Sequence, residues 1–250
     1  MELTYGTVIK RALIAGLIAG ALAAIYLLVV AEPTIDEAIR LEEAASAPDN
    51  NADDPLVTRY EQIGGGMLAS VIYGGLVGVI FGTVYSSVRH RLTVASEFSR
   101  VVLLAAVAFA TTTLLPALKY PANPPAVGDP DTIDQRTLQY AALIVFSIVA
   151  AALLARLSGQ LRERFDDSTR LVMVTGAVIV VYGAALVLFP ASPDSIQSSI
   201  PARLIWEFRL QSLGVLALLW TVIGLGLGWS LNRMTADARP PSRGTATVPA

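Results

Sequence analysis

Six long stretches of this chain carry no charged residue, and they limit what it can fold into. They fall at 12–31, 63–87, 101–118, 138–155, 171–189 and 211–231. About 20 apolar residues in a helix cross a hydrocarbon core about 30 Å thick. A helix also satisfies its own backbone hydrogen bonds where no water is present. The pattern predicts an all-α, polytopic membrane protein with six transmembrane helices. Composition agrees: 54% of the residues are hydrophobic and 15% charged, with a mean hydropathy of +0.59. A soluble domain is about 45–50% apolar and about 25% charged. A disordered chain, a nucleic-acid-binding arm and a typical soluble enzyme are excluded, and no nucleic-acid partner is expected. The 250 residues read as one membrane domain over 1–233. Residues 234–250, with Pro240, Pro241 and Gly244, read as a disordered cytoplasmic tail. The first stretch follows Lys10 and Arg11 as a secretory signal would. Its apolar run is longer than the usual 7–15 residues or so of a signal, and we read it as a retained helix.

Positive charge sets the expected orientation. With the N-terminus inside, twelve of the 18 Lys and Arg fall on the inner side, with six of the 20 Asp and Glu. The outer loops hold Arg40, Arg59, Lys119, Arg136, Arg203 and Arg209 among many acids. Both termini are therefore expected in the cytoplasm, and the protein in the cell membrane.

Lipid gives helices no hydrophobic reason to associate, so close backbone approach must do much of the work. Gly16 and Gly20, then Gly74, Gly78 and Gly82, then Gly224 and Gly228 recur at spacings of four. They read as packing seams; a narrow path lined by backbone is the other reading.

The three outer loops share a pattern. Each outgoing helix meets a proline: Pro33, Pro116 or Pro190. Each returning helix opens on Arg with a nearby Gln: Arg59 with Gln62, Arg136 with Gln139, Arg209 with Gln211. An acid stands within two residues of each arginine, namely Glu61, Asp134 and Glu207. Three repeated helical hairpins are the expectation. Arginine at a helix N-terminus opposes the macrodipole, so each asks for a partner. One reading is interface anchoring on local acids or lipid phosphates. The sharper one is an external ring of Arg, Gln and carboxylates.

No enzyme motif is present, and no catalytic residue is assigned. There is no phosphate-binding loop, no HExxH and no Cys, so thiolate metal sites and disulfides are excluded. The single histidine, His90, lies between Arg89 and Arg91 in a predicted cytoplasmic loop. Metal ligands therefore stay unknown, and no permanently bound cofactor is expected. The first outer loop is acidic, with Glu32, Asp36, Glu37, Glu42, Glu43, Asp49, Asp53, Asp54 and Glu61. Glu32, Asp36, Glu37 and Glu43 fall near helical spacing, as in an amphipathic stretch on the membrane. Carboxylates raise the local concentration of divalent cations.

The second outer loop runs from Lys119 to Arg136 with four prolines in ten residues, Pro121, Pro124, Pro125 and Pro130. Such a segment is stiff, extended and poor in backbone donors. It reads as a strap across a mouth formed by the helices.

Lys119-Tyr-Pro-Ala-Asn-Pro-Pro-Ala-Val-Gly-Asp-Pro-Asp-Thr132, followed by Arg136-Thr, resembles the signature of the CbtA family of predicted cobalt transporter subunits. Ala15-Gly-Leu-Ile-Ala-Gly20, Glu32-Pro33, Ile35 to Glu42, Thr58-Arg-Tyr-Glu-Gln62, Tyr73-Gly-Gly and Trp206-Glu-Phe-Arg-Leu210 are similar to the family's other conserved pieces in order. Thr58 stands where the family more often has Ser. The resemblance implies a six-helix subunit for Co²⁺ uptake linked to cobalamin metabolism. It also implies a small, single-span CbtB-like partner with a histidine-rich end, beside the lipid bilayer itself. The candidate transport residues are Glu32, Glu42, Arg59, Gln62, Lys119, Tyr120, Asn123, Asp129, Arg136, Gln139, Trp206, Glu207 and Arg209. The arginines and Lys119 would act as clamps or gates, since cations do not ligate cobalt. A non-transporting membrane scaffold, or a transporter of an anion or corrinoid, are the alternatives.

Overall fold

The structure is a computed structural model that describes residues 3–45, 57–125, 127–193, 196 and 200–237. The described residues hold helices and no strand. Six helical spans are long and apolar enough to cross a membrane. The expected Asp49, Asp53 and Asp54 of the first loop lie outside the described residues.

Helix α1 (Tyr5–Tyr26) does not stop at the predicted loop. A π-helical turn, Leu27–Ala31, carries it directly into α2 (Glu32–Ala45). Proline inside an α-helix lacks a donor and collides with the carbonyl four residues back. The wider turn, closed by the Glu32 amide on the Leu27 carbonyl, opens the ladder just before Pro33. The same device recurs in the third span. Helix α4 (Glu97–Phe109) passes through a π turn, Ala110–Leu114, into α5 (Leu115–Lys119), which carries Pro116. The Thr111 and Thr112 hydroxyls donate to the Val107 and Ala108 carbonyls, at 2.8 and 2.7 Å. The first span runs on past Pro33 to Ala45, contrary to expectation, whereas the third ends at Lys119, soon after Pro116, and α7 (Asp167–Leu188) ends before Pro190.

The remaining elements are α3 (Arg59–Val88), a 3₁₀ turn at Arg89–Arg91, a second at Pro130–Thr132, α6 (Ile133–Leu161) and α8 (Ala202–Asp237). Thus α8 is helical through Asp237, past the expected tail boundary at 233. Residues 238–250 lie outside the described residues.

Glycine decides how α1 meets α3. A methyl group on Gly16 would stand 2.9 Å from the Gly78 Cα, and one on Gly74 would stand 2.6 Å from the Gly20 Cα. Only hydrogen on both sides permits this backbone-to-backbone contact, and Ser70 Oγ donates across it to the Gly20 carbonyl at 3.2 Å. Gly224 and Gly228 similarly seat α8 against Ala105 and Phe98 of α4. The glycine repeats are therefore packing seams. Helices α1, α3, α4 and α8 enclose one apolar core around Tyr85, Ile223, Leu227 and Leu231, with Phe81 edge-on to Trp220.

Helices α6 and α7 pack on each other and on α5, around a small second core of Leu115, Leu143 and Ala185. The expected pairing of α7 with α8 as a packed hairpin is not what forms. The α8 glycines face α4 (Gly224, Gly228) and α1 (Gly214, Gly226), and none faces α7.

Two polar layers bracket the bundle. At one end the Arg11 guanidinium donates to Ser230 Oγ at 2.7 Å. At the other, Gln211 Nε2 donates to Thr34 Oγ1 at 2.9 Å. Arg11 to Glu32 on α1–α2 and Arg209 to Ser230 on α8 are the same number of residues, each about 31 Å of helix. That is about one hydrocarbon thickness. Trp206 and Trp229 stand exposed near the two ends of that interval on α8, with Arg233 over the Trp229 ring at 4.5 Å. Tryptophan prefers both membrane interfaces.

Candidate functional site at the acidic end of the bundle

The end that carries Glu32, Arg59 and the proline loop holds most of the candidate residues. Thr58 caps α3 reciprocally with Glu61: the Thr58 amide donates to Glu61 Oε2 at 2.8 Å, and Thr58 Oγ1 receives the Glu61 amide at 3.4 Å. Capping thus consumes the acid nearest Arg59 in sequence. Arg59 finds its carboxylates on α2 instead. Its Nη2 donates to Asp36 Oδ1 at 2.7 Å and Nε to the same oxygen at 3.2 Å. It also makes an ion pair with Glu32, whose side chain is 17% exposed. Nη1 reaches Gln62 Oε1 at 3.5 Å. Two carboxylates on successive turns of α2 therefore offset a guanidinium placed against its helix dipole.

Asp36 and Thr34 were not among the candidates. The helical spacing of Glu32 and Asp36 reads as an amphipathic stretch on the membrane, not as a partner set for Arg59, and Thr34 between them carries no signal of its own. Thr34 is 5% exposed and ties α2 to α8 through Gln211. The Oε1 atoms of Gln211 and Gln139 are buried without a hydrogen-bond partner among the described residues.

Arg209 turns to the proline loop. Its Nη2 donates to Asn123 Oδ1 at 2.9 Å and its Nε to the Ala122 carbonyl at 3.2 Å. Its sequence neighbour Glu207 accepts from Arg203 at 2.7 Å instead. Arg136 Nη2 reaches the Asp129 carbonyl at 3.4 Å. The Asp129 carboxylate accepts from the Asp131 amide at 3.0 Å and opens the 3₁₀ turn, just after Gly128 at φ 124°. The three arginines of the repeated pattern thus have three different partner sets. Arg59 and Arg209 are joined through α2 and α8, where Gln211 bonds Thr34.

Lys119 and Tyr120 face a different neighbour. Lys119 Nζ donates to the Leu186 carbonyl at 2.9 Å, serving the C-terminal end of α7, where a cation is favoured. Tyr120 Oη donates to the Pro190 carbonyl at 2.9 Å. Burial pushes the Tyr120 phenol above its ordinary value. Glu42 is exposed on α2, and Trp206 is exposed on α8. His90 is exposed at the opposite end of the bundle.

Among the described residues, no three His, Cys, Asp or Glu side chains stand close enough to hold a metal ion. A cleft of about 310 Å³ opens between α1, α3 and α8, lined by Ala23, Leu27, Ser70, Tyr73 and Leu216 among others, with no carboxylate. The two carboxylates closest together at the acidic end, Glu32 and Asp36, both face Arg59.

A family model described as "probable cobalt transporter subunit (CbtA)" matches residues 5–232. No curated protein and no solved structure matches the chain. The match runs from the first turn of α1 to within a few residues of the end of α8. With six apolar spans and a family match across nearly its whole length, the chain is a multi-pass membrane protein and belongs to the CbtA family of cobalt transporter subunits.

Proposed function

We propose that this chain is the membrane subunit of a Co²⁺ uptake transporter linked to cobalamin metabolism, with both termini cytoplasmic and the acidic end outside. The observation that carries the reading is the pairing of Glu32 and Asp36 on the Arg59 guanidinium at the level of one bilayer face. Carboxylates gather divalent cations. Arg59 neutralises them when no metal is present and yields to an arriving cation, so it acts as a gate and not as a ligand. Gln62, Asn123 and Arg209 line the same mouth under the proline loop. The membrane potential favours cation uptake by about 2.3 kcal/mol per charge per 100 mV. A chain with one histidine relies on a CbtB-like single-span partner for imidazole, a good ligand for cobalt.

The absence of Asp, Glu, Lys, Arg and His from all six stretches favours a second reading, a scaffold that organises another transport complex. The discriminating experiment is radioactive cobalt uptake in cells lacking other cobalt importers, with the chain alone and with a CbtB-like partner. Uptake that depends on the chain and falls in Glu32→Gln and Arg59→Ala, at unchanged membrane abundance, supports the transporter. No uptake under either condition supports the scaffold. Anion flux that changes in Arg209→Ala supports transport of an anion or corrinoid.

A further inference from the structure

We infer that α5, α6 and α7, with the proline loop, move as one arm against a fixed core of α1, α3, α4 and α8. The hinge is the π turn Ala110–Leu114, and the latch is Arg209 of α8, which holds the loop.

Three sets of contacts separate the two bodies. Within the core, the α1–α3 backbones touch at glycine, so neither helix can slide without collision. Within the arm, separate bonds join its pieces. Lys119 and Tyr120 hold the end of α7, the Tyr182 hydroxyl donates to the Ser147 carbonyl at 2.9 Å, and Phe146 meets Phe189 edge-on. Between the bodies, α6 and α7 pack chiefly on each other, on α5 and on the π turn, with Tyr140 of α6 near Tyr73 of α3. Polar links between the bodies among the described residues include two at opposite ends of the arm. Trp220 Nε1 donates to Thr113 Oγ1 at 3.2 Å within the π turn, and Arg209 reaches Ala122 and Asn123 at the acidic end.

The hinge has the chemistry to bend. Its backbone ladder is already open before Pro116, and the Thr111 hydroxyl bonds both the Val107 and Ala108 carbonyls. A hydroxyl that can serve either acceptor keeps the turn satisfied as it rewinds. The surroundings allow the motion as well. In lipid an apolar helix face costs nothing to uncover, because acyl chains replace the protein. An arm held by few contacts swings there without the penalty it would meet in water. The latch bonds a charged donor to neutral acceptors, a contact strong enough to hold a two-state arm closed and weak enough to release.

The absence of native cysteine makes the test direct. Spin-label pairs introduced in the full chain in lipid nanodiscs report each body: Tyr60→Cys with Val187→Cys across core and arm, Tyr60→Cys with Leu225→Cys within the core, and Leu138→Cys with Leu171→Cys within the arm. All five positions are exposed. The expected result is a single distance within each body and two distances across them. Either Arg209→Ala or Asn123→Ala should raise the ratio of long to short cross-body distances about tenfold, the loss of one charge-assisted bond. A cross-body distribution as narrow as the internal ones, unchanged in both variants, overturns the proposal. So does equal broadening of all three pairs. The measurement contains no cobalt, so its outcome is independent of the transport reading.

Discussion

The α1–α3 seam and the α6–α7 pair are both built from long apolar helices, yet they are held together in different ways. At the seam, two helices meet backbone to backbone because glycine faces glycine. In the pair, Gly159, Gly176 and Gly183 have nothing within 4 Å of where a side chain would begin. The difference teaches that a glycine in a membrane helix means close packing only where a partner backbone arrives. It also shows why composition alone does not distinguish a rigid core from a loosely held arm.

The sharpest way to break the comparison is to fill both kinds of glycine. Gly16→Leu drives a side chain into α3 and should cost more than about 3 kcal/mol, since overpacking against backbone has no flexible end to yield. Folded protein after detergent extraction should be nearly lost. Gly176→Leu should change the unfolding midpoint by about 0.5 kcal/mol or less, in keeping with an open surface position. Equal losses at the two sites would remove the distinction.

The ion pairs sharpen it next. Glu32→Ala takes one carboxylate from Arg59 in a part-buried setting and should cost about 1–3 kcal/mol, measured by thermal unfolding in detergent. Glu207→Ala breaks the Arg203 pair, where the arginine is 85% exposed. An exposed pair of this kind contributes about 0–1 kcal/mol, so the midpoint should barely move. Gly128→Ala, in the proline loop between α5 and α6, places a side chain at φ 124°. It should cost about 1 kcal/mol and be read in the same assay.

The smallest expected effect concerns the start of α7. Asp166 accepts from the Thr169 hydroxyl at 2.6 Å and from the Ser168 and Thr169 amides, which hold its carboxyl below the ordinary value. A depressed carboxyl adds stability above its unfolded-state value and loses it as pH falls through the folded one. The arm of the wild-type chain should therefore loosen in acid. Asp166→Ala should lower protection of the α7 amides slightly at neutral pH and flatten that acid dependence. Hydrogen exchange across α7 reads both, with the α1 amides as the internal reference.

Much of the acidic end was readable from sequence because its residues carry charge at membrane-helix ends. Arg59, Glu32, Arg209 and Asn123 were all candidates, and the structure joins them as Arg59 with Glu32 and Arg209 with Asn123. The partner choice was not readable. Proximity in sequence pointed to Glu61 and Glu207, but Glu61 is taken by a capping box and Glu207 by Arg203, one turn away. Asp36, read at helical spacing with Glu32, meets Arg59 because α2 continues the helix past Pro33. A π turn of apolar residues has no compositional mark that separates it from the α-helix around it.

By itself the sequence determined the membrane, the six spans, the helical class and the family. Each follows from runs of uncharged residues or from a local motif, and in lipid such a run has one way to satisfy its backbone. Tertiary structure alone decided which glycines are seams, which carboxylates meet Arg59, and that α7 packs on α6 and not on α8. Those outcomes depend on which helix faces arrive opposite one another. Since lipid is as apolar as the helices, side-chain hydrophobicity does not choose among faces. Steric fit and a handful of hydrogen bonds do, and they exist only once the bundle has assembled.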